Sequence, residues 1–395
     1  MTEFVNLKIV LILAIGFSLA ALFGYLSYKI HLSPMFGYLA AGFVIGPYCP
    51  GFNADLQVAE QLAEIGIVLM MFGVGMHFKW KDLLRVKHIA MVGGIAQMLI
   101  TATATTTFLC YLDWSFISAA IFGLSIGLAS TIVLVRVLTD NNLLMSAAGH
   151  ITIGWSIVED FITVIILLLI PILADPAYAQ KDSFREIALA ITFMIFKFSL
   201  LLAFMFTIGQ KAVAFILSGL MKFKSHELFT LALLSLTFGI AVGSALLFGT
   251  SIALGSFIAG MVIGQTPVRS LVTDKATPLR DAFVVIFFLS VGMLFNPFAI
   301  ADNLPLFFSV LAIILIIKPA IAFLIAIAFK KPIMTALIIA LGLAQIGELS
   351  FILAEVATQI HILSDIGYDV IVACALASIS LNPLLFKLLR KFQMS

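Results

Sequence analysis

Long apolar runs dominate this chain and limit the folds that it can adopt. Thirteen such runs are separated by short segments rich in charged residues, Pro, Gly, Asn or Asp. A helix of about 20 apolar residues spans the hydrocarbon core of a bilayer, whereas barrel strands alternate over about ten residues. The pattern therefore predicts an all-α polytopic membrane protein with about 13 transmembrane helices. The predicted spans are 5–28, 33–49, 59–77, 88–112, 115–139, 146–173, 185–209, 227–247, 250–264, 281–296, 304–329, 333–357 and 366–390.

The sequence lacks the motifs that are typical of enzymes, metal sites and phosphate-binding sites. Its three cysteines have no redox or metal spacing, and there is no Gly-rich phosphate loop, helical His pair or nucleophile triad. Hydrophobic residues make up 63% of the chain and charged residues only 11%, against about 25% charged in soluble domains. We expect a membrane protein embedded in the lipid bilayer that is not an enzyme, has no cofactor and has no nucleic acid partner.

The basic residues predict an orientation. If the N-terminus lies outside, 17 of the 22 Lys and Arg residues fall on the inner side and 3 on the outer side. The other two, Lys197 and Lys318, lie within spans. Cytoplasmic loops carry the excess of Lys and Arg in membrane proteins. We therefore expect a multi-pass protein of the cell (inner) membrane, with the N-terminus outside and the C-terminus in the cytoplasm.

An odd number of spans allows an internal symmetry. Residues 1–173 and 227–395 can form two inverted six-helix repeats, joined by a linker helix and loop at 174–226. Spans 115–139 and 333–357 then correspond, and both combine Gly, which weakens a helix, with Ser or Thr, which can bind freed backbone groups. These residues are Gly123, Gly127, Ser130 and Thr131 in the first span, and Gly342, Gly347 and Ser350 in the second. We expect two broken helices.

Two adjacent carboxylates, Glu159 and Asp160, lie in the middle of span 146–173. An ionised side chain at this depth costs at least about 2.5–3.5 kcal/mol, so such residues usually serve ion paths or proton relays. A purely structural link between helices is the alternative. The carboxylates therefore point to an ion path or proton relay, in which nearby hydroxyl oxygens are candidate further ligands. The predicted binding residues are Asp160, Glu159, Ser130, Thr131 and Ser156.

Lys318 lies at the same predicted depth as Glu159. At about 1.5 Å per residue, Lys318 is roughly 17 Å and Glu159 roughly 20 Å from the inner ends of their spans. Because pairing reduces the cost of burying two opposite charges, we predict a Glu159–Lys318 pair in which Lys318 compensates charge and Asp160 stays free.

Span 333–357 carries further polar groups. Gln345 and Glu348 lie near the midplane and could either line an ion path or support the broken helix. Glu355 is closer to the outer end, where we expect it at the headgroup level. Lys197 and His150 receive no role from the sequence.

Several motifs together resemble a known group of transporters. They are Phe36–Pro47, Leu69–Met76, Ser130-Thr131, Glu159-Asp160, Phe287–Met293, Lys318-Pro319 and Ala344–Glu348. With these, essentially the whole chain resembles the membrane part of the Kef-type branch of the monovalent cation:proton antiporter superfamily, including its YbaL-like members. That group shares the fold of the NhaA sodium/proton antiporter. The resemblance implies a homodimer in which a dimerisation domain stays fixed and a six-helix core carries the ion across by an elevator-like movement. This core would hold the two broken helices, crossed, together with Asp160 and Lys318.

The sequence departs from the Kef pattern in two respects. Glutathione-gated Kef systems usually have Gln before the essential Asp, whereas this chain has Glu159, which leaves K⁺ and Na⁺ both open as substrates. Kef-type proteins also generally continue into a cytoplasmic nucleotide-binding domain, whereas this chain stops at Ser395 without one and is either a short family member or a cut chain. The expected function is secondary antiport of K⁺ or Na⁺ against H⁺, with the cation and the proton competing at Asp160. A gated K⁺ efflux channel is the alternative.

Overall fold

The regular structure that we describe is entirely helical. The computed structural model describes residues 8–30, 32–50, 56–77, 88–174, 184–221, 225–267 and 269–394. Within them lie eighteen α-helices and two π-helical turns. The helices are α1 Lys8–Lys29, α2 Pro34–Ile45, α3 Leu56–His77, α4 His88–Tyr111, α5 Phe116–Gly127, α6 Thr131–Asp140, α7 Ala147–Ala174, α8 Phe184–Phe204, α9 Gln210–Met221, α10 His226–Phe248, α11 Ile252–Gly264, α12 Arg269–Leu294, α13 Pro297–Asp302, α14 Leu304–Ala312, α15 Lys318–Ala328, α16 Ile333–Gly342, α17 Glu348–Gln359 and α18 Asp365–Met394.

Ten helical stretches of the described chain are long and apolar enough to cross a membrane. Three further apolar helices, α2, α11 and α16, are shorter. This confirms the predicted all-helical, multi-pass architecture. The count of thirteen spans, the inverted repeats and their limits at 1–173, 174–226 and 227–395 stay predictions, and residues 175–183 and 222–224 of the linker lie outside the described residues.

Some helices extend beyond the apolar runs that reveal them. The helical path of predicted span 185–209 continues through a π-helical turn, Met205–Gly209, to Met221. Predicted span 281–296 belongs to α12, which already begins at Arg269. An apolar run marks only the part of a helix that is suited to lipid. The helix itself continues beyond that run as long as its backbone hydrogen bonds continue. The helices there are therefore longer than the predicted spans.

Serine side chains start several of these helices. A Ser hydroxyl at the N-cap accepts a hydrogen bond from one of the first free backbone N–H groups. This occurs at α2, α5, α6, α10 and α11, through Ser33, Ser115, Ser130, Ser225 and Ser251.

Spans 115–139 and 333–357 are each interrupted, as the Gly, Ser and Thr pattern predicts. The first forms α5 and α6 with a break at Leu128–Ser130, and the second forms α16 and α17 with a break at Leu343–Gly347. A second π-helical turn, Ile313–Ile317, directly precedes Lys318. Pro319 has no N–H to donate, so the regular helical ladder cannot continue through this point.

The chain divides into two compact units. Unit 1 comprises Met1–Leu56, Lys81–Ile165 and Val291–Ser395, and unit 2 comprises Gln57–Trp80 and Ile166–Ser290. Both helix breaks lie in unit 1. A buried cluster there packs Trp155 with Ala129 and Leu343 from the two breaks. A β-carbon at Gly93 would collide with the Trp155 ring, so α4 can approach this cluster closely only with glycine at that position.

Candidate functional site

The two helix breaks meet inside unit 1, and we call their meeting point the crossing (Leu128–Thr131 with Gln345–Glu348). The Ser130 N–H donates to Gln345 Oε1 at 3.0 Å, and Gln345 Nε2 donates back to Ser130 O at 3.0 Å. The Gly347 N–H donates to Leu128 O at 3.2 Å. An ideal β-carbon at Gly347 would lie 2.8 Å from the Ala129 carbonyl carbon, so glycine is needed for this approach.

Lys318 lies at the carbonyl side of the crossing. Its Nζ donates to Leu128 O and Gln345 O at 2.9 Å each, and to Ile126 O at 3.2 Å. The residue is fully buried. The C-terminal ends of helices carry partial negative charge because their last carbonyls lack intrahelical partners. The ammonium therefore satisfies the ends of both interrupted helices at once.

The predicted direct pair of Glu159 and Lys318 was wrong in its geometry. Both residues are described, and no oxygen of Glu159 lies within 4.0 Å of Lys318 Nζ. The two charges do interact at longer range. The physical reason is that a helix break frees buried carbonyls, and an ammonium with three N–H groups can satisfy three of them. Lys318 thus balances charge at the depth predicted, but through the backbone.

The carboxylates gather at the opposite, N–H side of the crossing. Glu159 Oε2 accepts from the Ala129 N–H at 2.9 Å. Glu348 Oε2 accepts from Ser130 Oγ at 2.6 Å, and Glu348 is itself the first residue of α17. Helix N-termini carry partial positive charge and favour anions. Acids and base thus face the helix ends of opposite sign.

Asp160 lies beside two hydroxyl groups. Thr131 Oγ1 donates to Asp160 Oδ2 at 3.0 Å, and the Thr131 and Ser156 hydroxyl oxygens are 2.8 Å apart. Ser156 is fully buried, while Asp160 and Thr131 are half-buried. These three side chains therefore offer three adjacent oxygen atoms. Two of the side chains, Asp160 and Thr131, are partly accessible.

One carboxylate oxygen beside the crossing has no hydrogen-bond partner among the described residues. Glu159 Oε1 is buried and makes no hydrogen bond to any described residue. A buried carboxylate oxygen without a donor is costly unless it binds a proton or a cation. Glu159 is therefore suited to bind a proton or a cation next to Asp160.

Four further side chains complete the hydrogen bonding around the breaks, and sequence reasoning missed them. Gln97 Nε2 donates to Gly127 O at 3.4 Å, and the Trp155 indole N–H donates to Gln97 Oε1 at 3.3 Å. Ser378 Oγ accepts from the Ile346 N–H at 3.3 Å, and Asn382 Nδ2 donates to Leu341 O at 2.7 Å. Polar residues within apolar runs were the available signal, since buried backbone groups need partners.

The structure brings all the predicted site residues to one place. The hydrogen-bonded groups described above include Asp160, Thr131, Ser156, Ser130, Glu159, Gln345, Glu348 and Lys318. Gln345 supports the break directly. The roles of the others in binding ions stay predictions, as does an ion path at Glu348. Lys197, in unit 2, stacks on Phe193 at 4.8 Å from the ring centroid.

Comparison with known proteins decides the family. The model of the sodium/hydrogen exchanger family, transmembrane, matches residues 17–390. The chain belongs to this family. It is 42% identical over 377 residues to the putative cation/proton antiporter YbaL of Escherichia coli (strain K12), covering 95% of this chain and 68% of that protein. It is 28% identical to K(+) efflux antiporter 6 of Arabidopsis thaliana, covering 89% of this chain and 58% of that protein.

Solved structures of this exchanger family's fold are also similar. The sodium proton antiporter MjNhaP1 from Methanocaldococcus jannaschii matches with a TM-score of 0.64 and 17% identity, covering 97% of this chain and 98% of that one. At this identity the match concerns the fold. The findings together confirm the predicted Kef-type, YbaL-like resemblance and the class of cation/proton antiporters, which are transporters and not enzymes.

Proposed function

We propose that this exchanger-family chain is a secondary active antiporter in which a monovalent cation, K⁺ or Na⁺, and H⁺ compete for Asp160. The observation that carries the proposal is the contact of Asp160 with the Thr131 and Ser156 hydroxyls beside the crossing. Carboxylate and hydroxyl oxygens suit a hard cation. The same carboxylate can take a proton instead, and a protonated Asp160 no longer offers a charge to a cation.

Coupled exchange requires only this competition and access from one side at a time. A cation arriving at Asp160 displaces the proton, the site then faces the other side, and a proton there displaces the cation. Glu159, with its unpartnered buried oxygen, is proposed to share the bound cation or a proton. Lys318 supplies a fixed positive charge near the carboxylates. Ser130 is proposed to contribute at the broken-helix N-terminus.

The movement and setting follow the family resemblance. We propose an elevator-like movement of the helices that carry the crossing, within a homodimer. The protein is proposed to lie in the inner membrane with its N-terminus outside. The name of one relative specifies K⁺ and that of the structural match specifies sodium, so the proposal keeps both ions.

The test is transport by the purified protein in proteoliposomes. After an imposed ΔpH, K⁺, Na⁺, Li⁺ and Rb⁺ are added in parallel while internal pH and cation uptake are followed. We expect at least K⁺ or Na⁺ to dissipate ΔpH and to move against its own gradient. Asp160→Asn should abolish this, whereas Asp302→Asn, at an exposed carboxylate in α13, should not.

Two results would overturn the proposal. Cation currents without proton counter-transport would identify the gated channel instead. Near-normal exchange by Asp160→Asn would remove Asp160 from the competition.

A further inference from the structure

A polar cavity opens at one end of unit 1, and we call it the end cavity. Its volume is about 520 Å³. It lies between the turn before α5 and the connection from α17 to α18, and its polar lining includes Ser115, Ser118, Thr358, His361, Ser364 and Asp365. This volume has room for many water molecules, which occupy about 30 Å³ each in the liquid.

A buried carboxylate lies one helical turn along α17 from a residue that lines this cavity. Glu355 is on α17, one turn deeper than the lining residue Thr358, and only 5% of it is exposed. Its Oε1 accepts from Gln359 Nε2 at 3.2 Å. The expected headgroup-level position of Glu355 does not account for this shielding by neighbouring helices.

Tyr368 on α18 faces this carboxylate. Its side chain is also buried, with 5% exposed, and its hydroxyl interacts with the charge of Glu355. That hydroxyl lies close to the Glu355 carboxylate, but among the described residues it does not meet the distance and angle of a direct hydrogen bond. A phenol that can donate to a carboxylate stabilises its ionised form, and it can accept from the protonated form. Tyr368 is therefore suited to hydrogen-bond Glu355 in either of its protonation states.

The surroundings of Glu355 contain other titratable groups. On α18, Asp365 and Asp369 lie near Tyr368, and Asp369 Oδ1 accepts from the Asn296 N–H at 2.8 Å. The charges of Asp369 and Asp365 also act on Tyr48. His361 lines the cavity. Helix α5, which packs against α17, carries no titratable residue.

The ligand that fits this place is a proton. No three His, Cys, Asp or Glu side chains in the described ranges converge to hold a metal ion. A buried carboxylate facing a phenol, one helical turn from a residue that lines the end cavity, can instead exchange a proton with water that enters this cavity. An O–H bond then forms on Glu355 while a hydronium ion reverts to water, and the reverse step returns the proton.

We propose that Glu355 with Tyr368 is a second proton-binding site, filled from the end cavity, that sets the pH dependence of exchange at the crossing. The inference rests on the proposed function. Glu355 and Glu348 are seven residues apart on α17, about 10 Å along the helix axis. A negative charge at Glu355 makes the crossing more negative, so its carboxylates hold protons and cations more tightly. Protonation of Glu355 removes that effect.

The first test compares the pH profile of exchange in proteoliposomes. Glu355→Gln is permanently neutral, so the crossing should lose its protons at lower pH. We expect the midpoint of the profile to move toward acid by on the order of one pH unit, the size of a Coulomb interaction over about 10 Å. Tyr368→Phe keeps the shape but weakens ionisation of Glu355, and should move it the same way by less. The control, Glu227→Gln, changes an exposed carboxylate in α10.

The second test needs no transport. An unfolded Glu is ionised throughout about pH 5.5 to about pH 9, so a folded-state titration of Glu355 in this range makes stability depend on pH. The difference in melting temperature between the unaltered protein and Glu355→Gln should therefore change with pH, and the difference for Glu227→Gln should not. This result supports the site even if proteoliposomes show no exchange.

Two results overturn the inference. One is a melting difference for Glu355→Gln that stays constant across the pH range. The other is an unchanged pH midpoint in an actively exchanging variant. If Glu355→Gln does not fold, Tyr368→Phe decides by the same two measurements.

Discussion

Replacing Lys318 by Met tests how the crossing is held together. Three carbonyls accept from Lys318 Nζ, but Leu128 O also accepts from the Gly347 N–H. Ile126 O and Gln345 O therefore lose the side-chain donor that the structure gives them. A buried carbonyl left unsatisfied costs about 1–3 kcal/mol, so two cost about 2–6 kcal/mol. Because the ammonium no longer has to be buried, part of this is offset, and we expect a net loss of about 2–4 kcal/mol.

The assay is unfolding of the purified protein in detergent, followed by tryptophan fluorescence. Lys197→Met is a matched control, since Lys197 also lies within a predicted span but contacts Phe193 through a cation–π interaction, worth about 0.5–1 kcal/mol at exposed sites. Lys318→Gln retains two N–H donors and should lose less stability than Lys318→Met.

Addition of Glu159→Gln separates the backbone contacts from the charge interaction. Glu159 and Lys318 interact without a direct ion pair, so their coupling in a double-mutant cycle with Lys318→Gln should be about 1 kcal/mol. Glu159→Gln should then restore only a small part of the lost stability. Nearly complete recovery in the double variant, or a loss for Lys318→Met no larger than for Lys197→Met, would refute the reasoning.

Three other variants test the site. Changing Ser130 and Thr131 together to Ala should weaken apparent cation affinity more than maximal rate in proteoliposome exchange, because a ligand oxygen and the α6 cap are both lost; unchanged affinity would favour a packing role. Added K⁺ or Na⁺ should raise the melting temperature of the unaltered protein but not of Asp160→Asn, since ligand binding stabilises only a competent site; equal shifts would contradict binding at Asp160. Gly347→Ala should lower the melting temperature and abolish exchange, because the added β-carbon would collide with the Ala129 backbone. An unchanged melting temperature and exchange rate would show that the crossing can rearrange to accept the methyl group.

Much of the crossing could be predicted because its elements leave marks in the sequence. Glycines with hydroxyl residues in the middle of apolar runs predict both breaks, and counting residues from the run ends places Lys318 and Glu159 at one depth. The acidic residues are also visible in the sequence, because carboxylate side chains are rare within apolar runs. The partner of Lys318 could not be predicted in this way, because backbone carbonyls are present at every residue and become acceptors only where a helix is interrupted.

The side chains that support the helix breaks could also be predicted only in part. Gln97, Ser378 and Asn382 are visible as polar residues in apolar runs, but which backbone group each one satisfies depends on how distant segments pack. Glu355 is a similar case, since its position near the end of a span suggested the headgroup region. Its burial depends on how the helices pack around α17, which sequence distance does not reveal.

The paired hydrogen bonds between Gln345 and Ser130 imply a strict chemical requirement at position 345. The carboxamide presents one donor and one acceptor side by side, as a peptide group does when two strands pair. Glu has the same shape but, when ionised, only accepts, so it would repel Ser130 O and crowd negative charge toward Glu348. Asn carries both functions on a side chain shorter by one methylene and cannot span the same gap. Among the natural amino acids, glutamine alone can imitate a backbone at this point, and an alignment of functional relatives should show that position as invariant.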